Sequence, residues 1–159
     1  MRPAFHAAAA AFGPRKVFVV EVGVERGLNA ENVLAEWPFG ELRLTLVEID
    51  PEHRLEVMKR LARFDPCRYH EYILGDSAVA AGGYGNGYFD LVYLDDDHQY
   101  EGVKRSIAAW LPKVKAGGIL GGHDFHRNEP GVIKAVLELV HEKDWSLNVA
   151  EMDWWTVVV

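Results

Sequence analysis

Short apolar runs that end in polar turns, each followed by apolar residues at helical spacing, recur along this chain. Lys16 to Val22 is β-branched and apolar, and reads as a strand; Leu28, Val33, Leu34 and Trp37 then fall on one face of a helix. Leu42 to Ile49 is a second strand. Asp50-Pro51-Glu52 supplies an N-cap acid, a proline at the first helical position and a first-turn acid, ahead of the amphipathic face Leu55, Met58 and Leu61. Tyr69 to Leu74 is a third strand, and the glycine-rich stretch from Ala81 to Gly87 is too flexible for more than a loop with a short helical turn. Phe89 to Leu94 makes a fourth, followed by a helical stripe of Val103, Ile107, Trp110 and Leu111 that Pro112 and the turn Lys115-Ala116-Gly117-Gly118 close. Ile119 to Gly122 is a fifth strand. Asn128 and Pro130 start a last helix with Val132, Ile133, Val136, Leu137 and Val140 inward, and Ser146 to Glu151 and Trp154 to Val159 read as two antiparallel strands. Met1 to Gly13, with Ala7 to Ala11, reads as a short frayed helix and has no apolar core long enough for a signal peptide or a membrane span.

Strands alternating with helices predict an α/β fold with a mostly parallel sheet covered on both faces, and ligands at the carboxyl ends of its strands. With 159 residues, 49% of them hydrophobic, one domain over 1–159 is expected, residues 1–14 being a short N-terminal extension. The 17 basic and 24 acidic residues give a net charge of −7, which argues against a nucleic-acid partner. Cys67 is the only cysteine, so no intrachain disulfide forms and a reducing cytoplasm is the expected setting, with no membrane partner.

The candidate chemistry gathers where strands end. Asp95-Asp96-Asp97-His98 follows directly on the fourth strand, and acids lined up there must stay wet or be neutralised by a cation. The first loop, Glu21-Val22-Gly23-Val24-Glu25-Arg26-Gly27, has glycines four apart and is not the G-x-G-x-x-G of diphosphate cofactors. Glu21 and Glu25 would repel phosphate, whereas they suit a ligand carrying an ammonium, a sulfonium and ribose hydroxyls. Glu48 ends the second strand roughly twenty residues after Gly27, where an acid commonly binds a ribose diol. Gly75 to Ser77 and His123-Asp124 belong to the same rim.

These motifs, with Val47-Glu48-Ile49-Asp50-Pro51, Gly75-Asp76-Ser77, Leu94 to Val103 and Gly117-Gly118-Ile119-Leu120-Gly121-Gly122-His123-Asp124-Phe125, resemble class I S-adenosylmethionine-dependent methyltransferases. The similarity runs from about Val17 to Val159 and is greatest to the small macrocin-type and catechol-type O-methyltransferases. It implies a Rossmann-like, doubly wound sheet of seven strands in the order 3-2-1-4-5-7-6. It also implies that Glu21, Gly23, Gly27 and Asn29 line the methionine and ribose end, that Glu48 and Ile49 contact the nucleoside, that Asp76 and Ser77 flank the adenine, and that Asp95 is shared between cofactor and metal. Asn29 stands where serine is frequent, Asp96 where glycine is usual, and the amino-terminal lid of many relatives is almost absent. The pocket is therefore expected to be open or closed by a second subunit.

Methyl transfer from a sulfonium needs an oxygen nucleophile held in line and a group to take its proton. Asp95 and Asp124 suit Mg²⁺, with Mn²⁺ as the alternative, and His98, with a reference pKa near 6.5, is the candidate base. His123 is a third metal candidate, or a hydrogen-bond partner of Asp124. Asp96 and Asp97 read as solvated or helix-start acids, Arg26 as an exposed loop arginine, and Tyr100, Trp110, Trp154 and Trp155 as core or interface. The Trp154–Trp155 pair is the candidate for self-association into a homo-oligomer. His6, His53, His70, His126 and His141 receive no role. Three functions follow: O-methylation of a small hydroxylated acceptor, metal-assisted hydrolysis on the same rim, or a cofactor-binding module without turnover.

Overall fold

The computed structural model describes residues 1–39, 41–66 and 68–159; Cys67 lies outside them. The elements run α1 (Pro3–Phe12), β1 (Val17–Val22), α2 (Leu28–Glu36), β2 (Leu42–Glu48), α3 (Arg54–Leu61), β3 (Tyr69–Leu74), α4 (Ser77–Ala81), β4 (Phe89–Leu94), α5 (Tyr100–Trp110), a 3₁₀ turn (Leu111–Lys113), β5 (Val114–Gly122), α6 (Pro130–Lys143), β6 (Asn148–Ala150) and β7 (Asp153–Val157). The strands form one sheet in the order β3-β2-β1-β4-β5-β7-β6, as the resemblance implies. β1 through β5 are parallel, and only β7 and β6 run against their neighbours. Among the described residues no helix is long and apolar enough to cross a membrane.

Each central strand is buried on both faces, so alternate side chains feed two cores. Val19, Leu44, Leu91 and Tyr93 face α1, α2 and α3, whereas Val20, Val92 and Leu94 face α5 and α6 with Trp110, Val136 and Trp154. Asp90, at the opposite end of β4 from the acid run, is fully buried. It accepts from Phe18 N (2.8 Å), Arg15 (2.8 Å) and Lys115 (2.9 Å), so this charge is spent on structure.

The N-terminal segment is not frayed. Ala4, Phe5, Ala8 and Ala9 are buried, and the first two lie against the sheet because small residues meet there: a Cβ on Gly121 would come 3.4 Å from the Ala4 Cβ. α1 gets its rigidity from docking rather than from helix propensity, which a ten-residue helix could not supply alone. α3 begins at Arg54 rather than at Pro51, since the Asp50 carboxylate accepts from Glu52 N (2.8 Å) and holds a turn there. Lys115 to Gly118 is not a turn before β5 but an irregularity within it. Phe89 pairs with Val114 and Leu91 with Ile119, and the extra residues bond to the chain just past β7 through Gly117 N to Val158 O (2.7 Å). Trp154 is 1% exposed and packs inside, which leaves it unable to serve a surface pair with Trp155.

Candidate functional site

Parallel register brings the polar strand ends to one rim. Val22 pairs with Val47 on one side and Leu94 on the other, Leu94 pairs with Gly122, and Glu48 with Leu74. The loops that follow enclose a cleft of about 710 Å³. Glu21, Gly23, Asn29, Glu48, Ile49, Asp76, Ser77, Asp95, His98, His123 and Asp124 all line it, so every expected site residue except Gly27 reaches the same cavity. Gly27 instead starts α2 in the left-handed conformation (φ 79°).

Two close approaches shape the cavity floor. Gly23 has φ 84°, and a Cβ there would lie 2.1 Å from the Asp95 carbonyl oxygen, so the first loop rests directly on the acid loop. Glu48 ties the other side down: its carboxylate accepts from the backbone N–H of Glu25 (2.6 Å) and of Asp50 (2.8 Å). Each oxygen keeps a lone pair for a further donor. His53 lines the cleft beside it, with Nδ1 3.6 Å from Glu48 Oε1.

Glu21 is 1% exposed. One oxygen accepts from Asn29 Nδ2 (3.1 Å), while Glu21 Oε2 and Asn29 Oδ1 are buried without a partner. Burial pushes the Glu21 carboxyl up to about 8, against the lowering hydrogen bond from Asn29. Once Glu21 gives up its proton as a cation arrives, its free oxygen and Asn29 Oδ1 are two buried acceptors in the cleft wall that suit a ligand ammonium, and this is the chemical fit to an amino-acid-bearing cofactor. Between the ordinary value of 4.5 and about 8 the folded protein keeps a proton that the unfolded chain has lost. Stability of the ligand-free protein is therefore expected to fall as pH rises through that window. Thermal denaturation across pH 5 to 8 checks this, and Glu21→Gln should flatten the slope.

Beside the Gly75–Ser77 turn, Asp76 caps α4, accepting from Val79 N (3.1 Å), and pairs with Arg105 (3.2 Å). Asp96 is not a solvated acid: its Oδ2 accepts from both Ser77 Oγ and Ser106 Oγ at 2.6 Å. Ser77 is thereby turned toward Asp96. Asp97 Oδ1 accepts from Gln99 N (2.8 Å) at the approach to α5, a helix-start role.

The histidine-rich end of the cleft is built around Asp124, a non-glycine residue with φ 57°. His98 Nε2 lies 2.7 Å from its Oδ2, and His126 Nε2 lies 3.2 Å from its Oδ1. Burial would raise the Asp124 carboxyl, but His123 and His98 hold it below the ordinary range. Asp95 is the opposite case: burial outweighs the guanidinium of Arg2 and pushes it up to about 6. Ligand atoms of Asp95, His98 and Asp124 lie within 4.8 Å of one another, a donor set of two carboxylates and one imidazole that fits a divalent cation. His123, expected as a ligand, falls outside that set; its Nδ1 is spent on Asp153 (2.8 Å), leaving Nε2 3.7 Å from Asp124 Oδ1.

Five residues of the site carry no clear signal in the sequence. Arg2 Nη1 donates to Asp95 Oδ2 (2.8 Å) and to Tyr93 OH (2.9 Å). Tyr93 OH donates to Asp153 (2.7 Å), a fully buried carboxylate that also accepts from Ala4 N (3.1 Å). Tyr93 and Asp153 sit in apolar strands, Arg2 precedes an alanine-rich run, His53 stands alone, and His126 lies just past the His123-Asp124-Phe125 motif. Only tertiary proximity distinguishes them.

A family model described as "Methyltransferase domain" matches residues 20–125. No curated protein matches the chain. Among solved structures, a Corynebacterium glutamicum protein is 15% identical with TM-score 0.77, covering 98% of this chain and 79% of its own. An O-methyltransferase from Bacillus cereus, solved in complex with SAH, is 14% identical with TM-score 0.76, over 99% of this chain and 82% of that one. The MycE methyltransferase of the mycinamycin biosynthetic pathway, solved with Mg, SAH and mycinamycin VI, is 19% identical with TM-score 0.66; the match covers 98% of this chain but only 48% of MycE. At these identities the structural matches establish the fold.

Proposed function

Because the chain belongs to the methyltransferase-domain family, we propose that it moves a methyl group from S-adenosylmethionine to a hydroxyl of a small acceptor, with a divalent ion at Asp95 and Asp124. The observation that carries this reading is the pair of unpartnered buried oxygens, Glu21 Oε2 and Asn29 Oδ1, in the same cleft as the Asp95–His98–Asp124 cluster. The complexes of the Bacillus cereus enzyme with SAH and of MycE with Mg and SAH support it by fold.

When bound, S-adenosylmethionine supplies an activated methyl on a sulfonium, and a divalent ion supplies a Lewis acid that lowers the pKa of the acceptor hydroxyl. Glu21 and Asn29 receive the ammonium of the methionyl end. Glu48 accepts from the ribose, Ile49 covers the base, and Asp76 and Ser77 stand at its edge. Asp95 and Asp124 would hold such an ion, which would supply its Lewis acidity beside the acceptor oxygen. His98, kept in place by Asp124, takes the hydroxyl proton.

The close spacing of its ligand atom to those of Asp95 and Asp124 favours a second role for His98, as a ligand of the ion itself. His98→Ala separates the two. As a base its loss lowers methyl transfer by about 10²- to 10⁴-fold with Mn²⁺ affinity unchanged, whereas as a ligand its loss weakens Mn²⁺ binding as well. The family-level reading is tested by calorimetric titration with S-adenosylhomocysteine in the absence of metal, where binding is expected. Metal-dependent ester cleavage indifferent to that compound would replace it with the hydrolase reading.

A further inference from the structure

The acid-rich cleft already contains a cation of its own. Arg2 precedes α1, and its guanidinium reaches across the cleft to Asp95 Oδ2 at 2.8 Å while a second contact to Tyr93 OH at 2.9 Å fixes its direction. The Arg2 side chain is 30% exposed and the Asp95 side chain 16%, so this ion pair is partly shielded from water. Asp95 is also one of the three residues whose ligand atoms converge within 4.8 Å. One carboxylate thus serves both a fixed guanidinium and the place where a divalent ion fits. Like charges at such range repel strongly at the effective dielectric of a protein cleft, and the cost grows with the double charge of the ion.

We propose that Arg2 is a resident counter-ion of Asp95 that competes with the divalent metal, so that loading the ion displaces Arg2 and loosens the first turn of α1. The inference rests on the metal reading made under Proposed function. Its route to α1 is short. The Arg2 carbonyl accepts from Phe5 N (3.1 Å) and His6 N (3.2 Å), closing the first helical turn, and Ala4 N donates to Asp153, which also receives Tyr93 OH. Moving the guanidinium off Asp95 and Tyr93 removes the side-chain anchor of the residue whose carbonyl closes that turn, and takes a donor from the Tyr93 hydroxyl that bonds Asp153. In the metal-free protein Arg2 stabilises the half-buried Asp95 carboxylate; with the ion present, the same positive charge opposes binding.

The test is Mn²⁺ binding to the full chain, followed by paramagnetic resonance, for the unmodified protein, Arg2→Gln, Arg2→Lys and Asp124→Asn. Arg2→Gln should bind Mn²⁺ at least about tenfold more tightly than the unmodified protein, within the usual range of coupling between two ligands of one site. Arg2→Lys, which keeps the charge, should stay near the unmodified value. In the unmodified protein, Mn²⁺ should speed hydrogen exchange at the Phe5 and His6 amides, a measurement that needs no variant to fold. Equal Mn²⁺ affinity for the unmodified protein and Arg2→Gln, with binding lost in Asp124→Asn, overturns the competition and leaves the metal site standing. Tightening in Arg2→Lys equal to that in Arg2→Gln also overturns it, because charge would not be the cause. Absence of Mn²⁺ binding from every form removes the metal reading itself.

Discussion

Gly23→Ala is expected to abolish S-adenosylhomocysteine binding and to cost about 3 kcal/mol of stability. Two independent penalties meet at this residue. Its φ of 84° lies in the left-handed region that a side chain disfavours, and its added Cβ would sit 2.1 Å from the carbonyl oxygen and 2.4 Å from the carbonyl carbon of Asp95. Those are backbone atoms, held by Asp95 N donating to Val22 O at 2.7 Å, so no rotamer change relieves the clash. The first loop has to lift away from the acid loop, taking with it the Gly23 N to Val47 O hydrogen bond (2.9 Å). Gly27→Ala is the internal control. Its φ of 79° is as unfavourable, but the nearest atom is a methyl of Val57 at 3.2 Å, a contact that a shift of a few tenths of an ångström relieves. That variant should lose about 1 kcal/mol and retain ligand binding. Denaturant unfolding with a calorimetric titration reads both, and Gly23→Ala protein that binds the ligand normally would show that the loops are not in the contact described.

The second large effect is Asp124→Asn, expected to lower methyl transfer by about 10²- to 10³-fold while leaving the fold and S-adenosylhomocysteine affinity nearly unchanged. Asparagine has the same shape and accepts the positive φ of 57° better than most residues, so the backbone is not asked to move. What disappears is the negative charge at the focus of three imidazoles: His98 at 2.7 Å, His126 at 3.2 Å and His123 at 3.7 Å. His98 loses the partner that orients it, and on the proposed reading the divalent ion would lose a carboxylate ligand. Kinetics with a panel of hydroxylated acceptors, run beside the binding titration, separates a catalytic defect from a cofactor defect. Loss of cofactor affinity together with rate would place Asp124 in the wrong part of the cleft.

Much of this architecture was readable from hydrophobic periodicity, because strands buried on both faces leave continuous apolar runs and the turns between them need polar residues. Phe89 to Leu94 and the acids after it are an example, and the strand order matches the one implied by the resemblance. Pattern and structure part where a distant partner overrules a local signal. Lys115 to Gly118 looks like a turn until Val158 supplies hydrogen bonds that draw it into β5. Asp50-Pro51 has the composition of a helix start, yet the Asp50 carboxylate bonds Glu52 N and holds a turn instead. Asp96 seems a surface acid until Ser77 and Ser106, from two other elements, both donate to one of its oxygens.

The order of apolar and polar residues by itself determined the α/β alternation and the rim on which Glu21, Glu48, Asp95, His98 and Asp124 gather, since period and strand polarity are local properties of the chain. Which of those groups are charged, paired or left waiting was decided only by tertiary structure. Arg2 reaches Asp95 across 93 positions, and Asp153 reaches Ala4 across 149. Burial and partnership at such separations depend on packing, and packing leaves no periodic trace in the residues that it brings together.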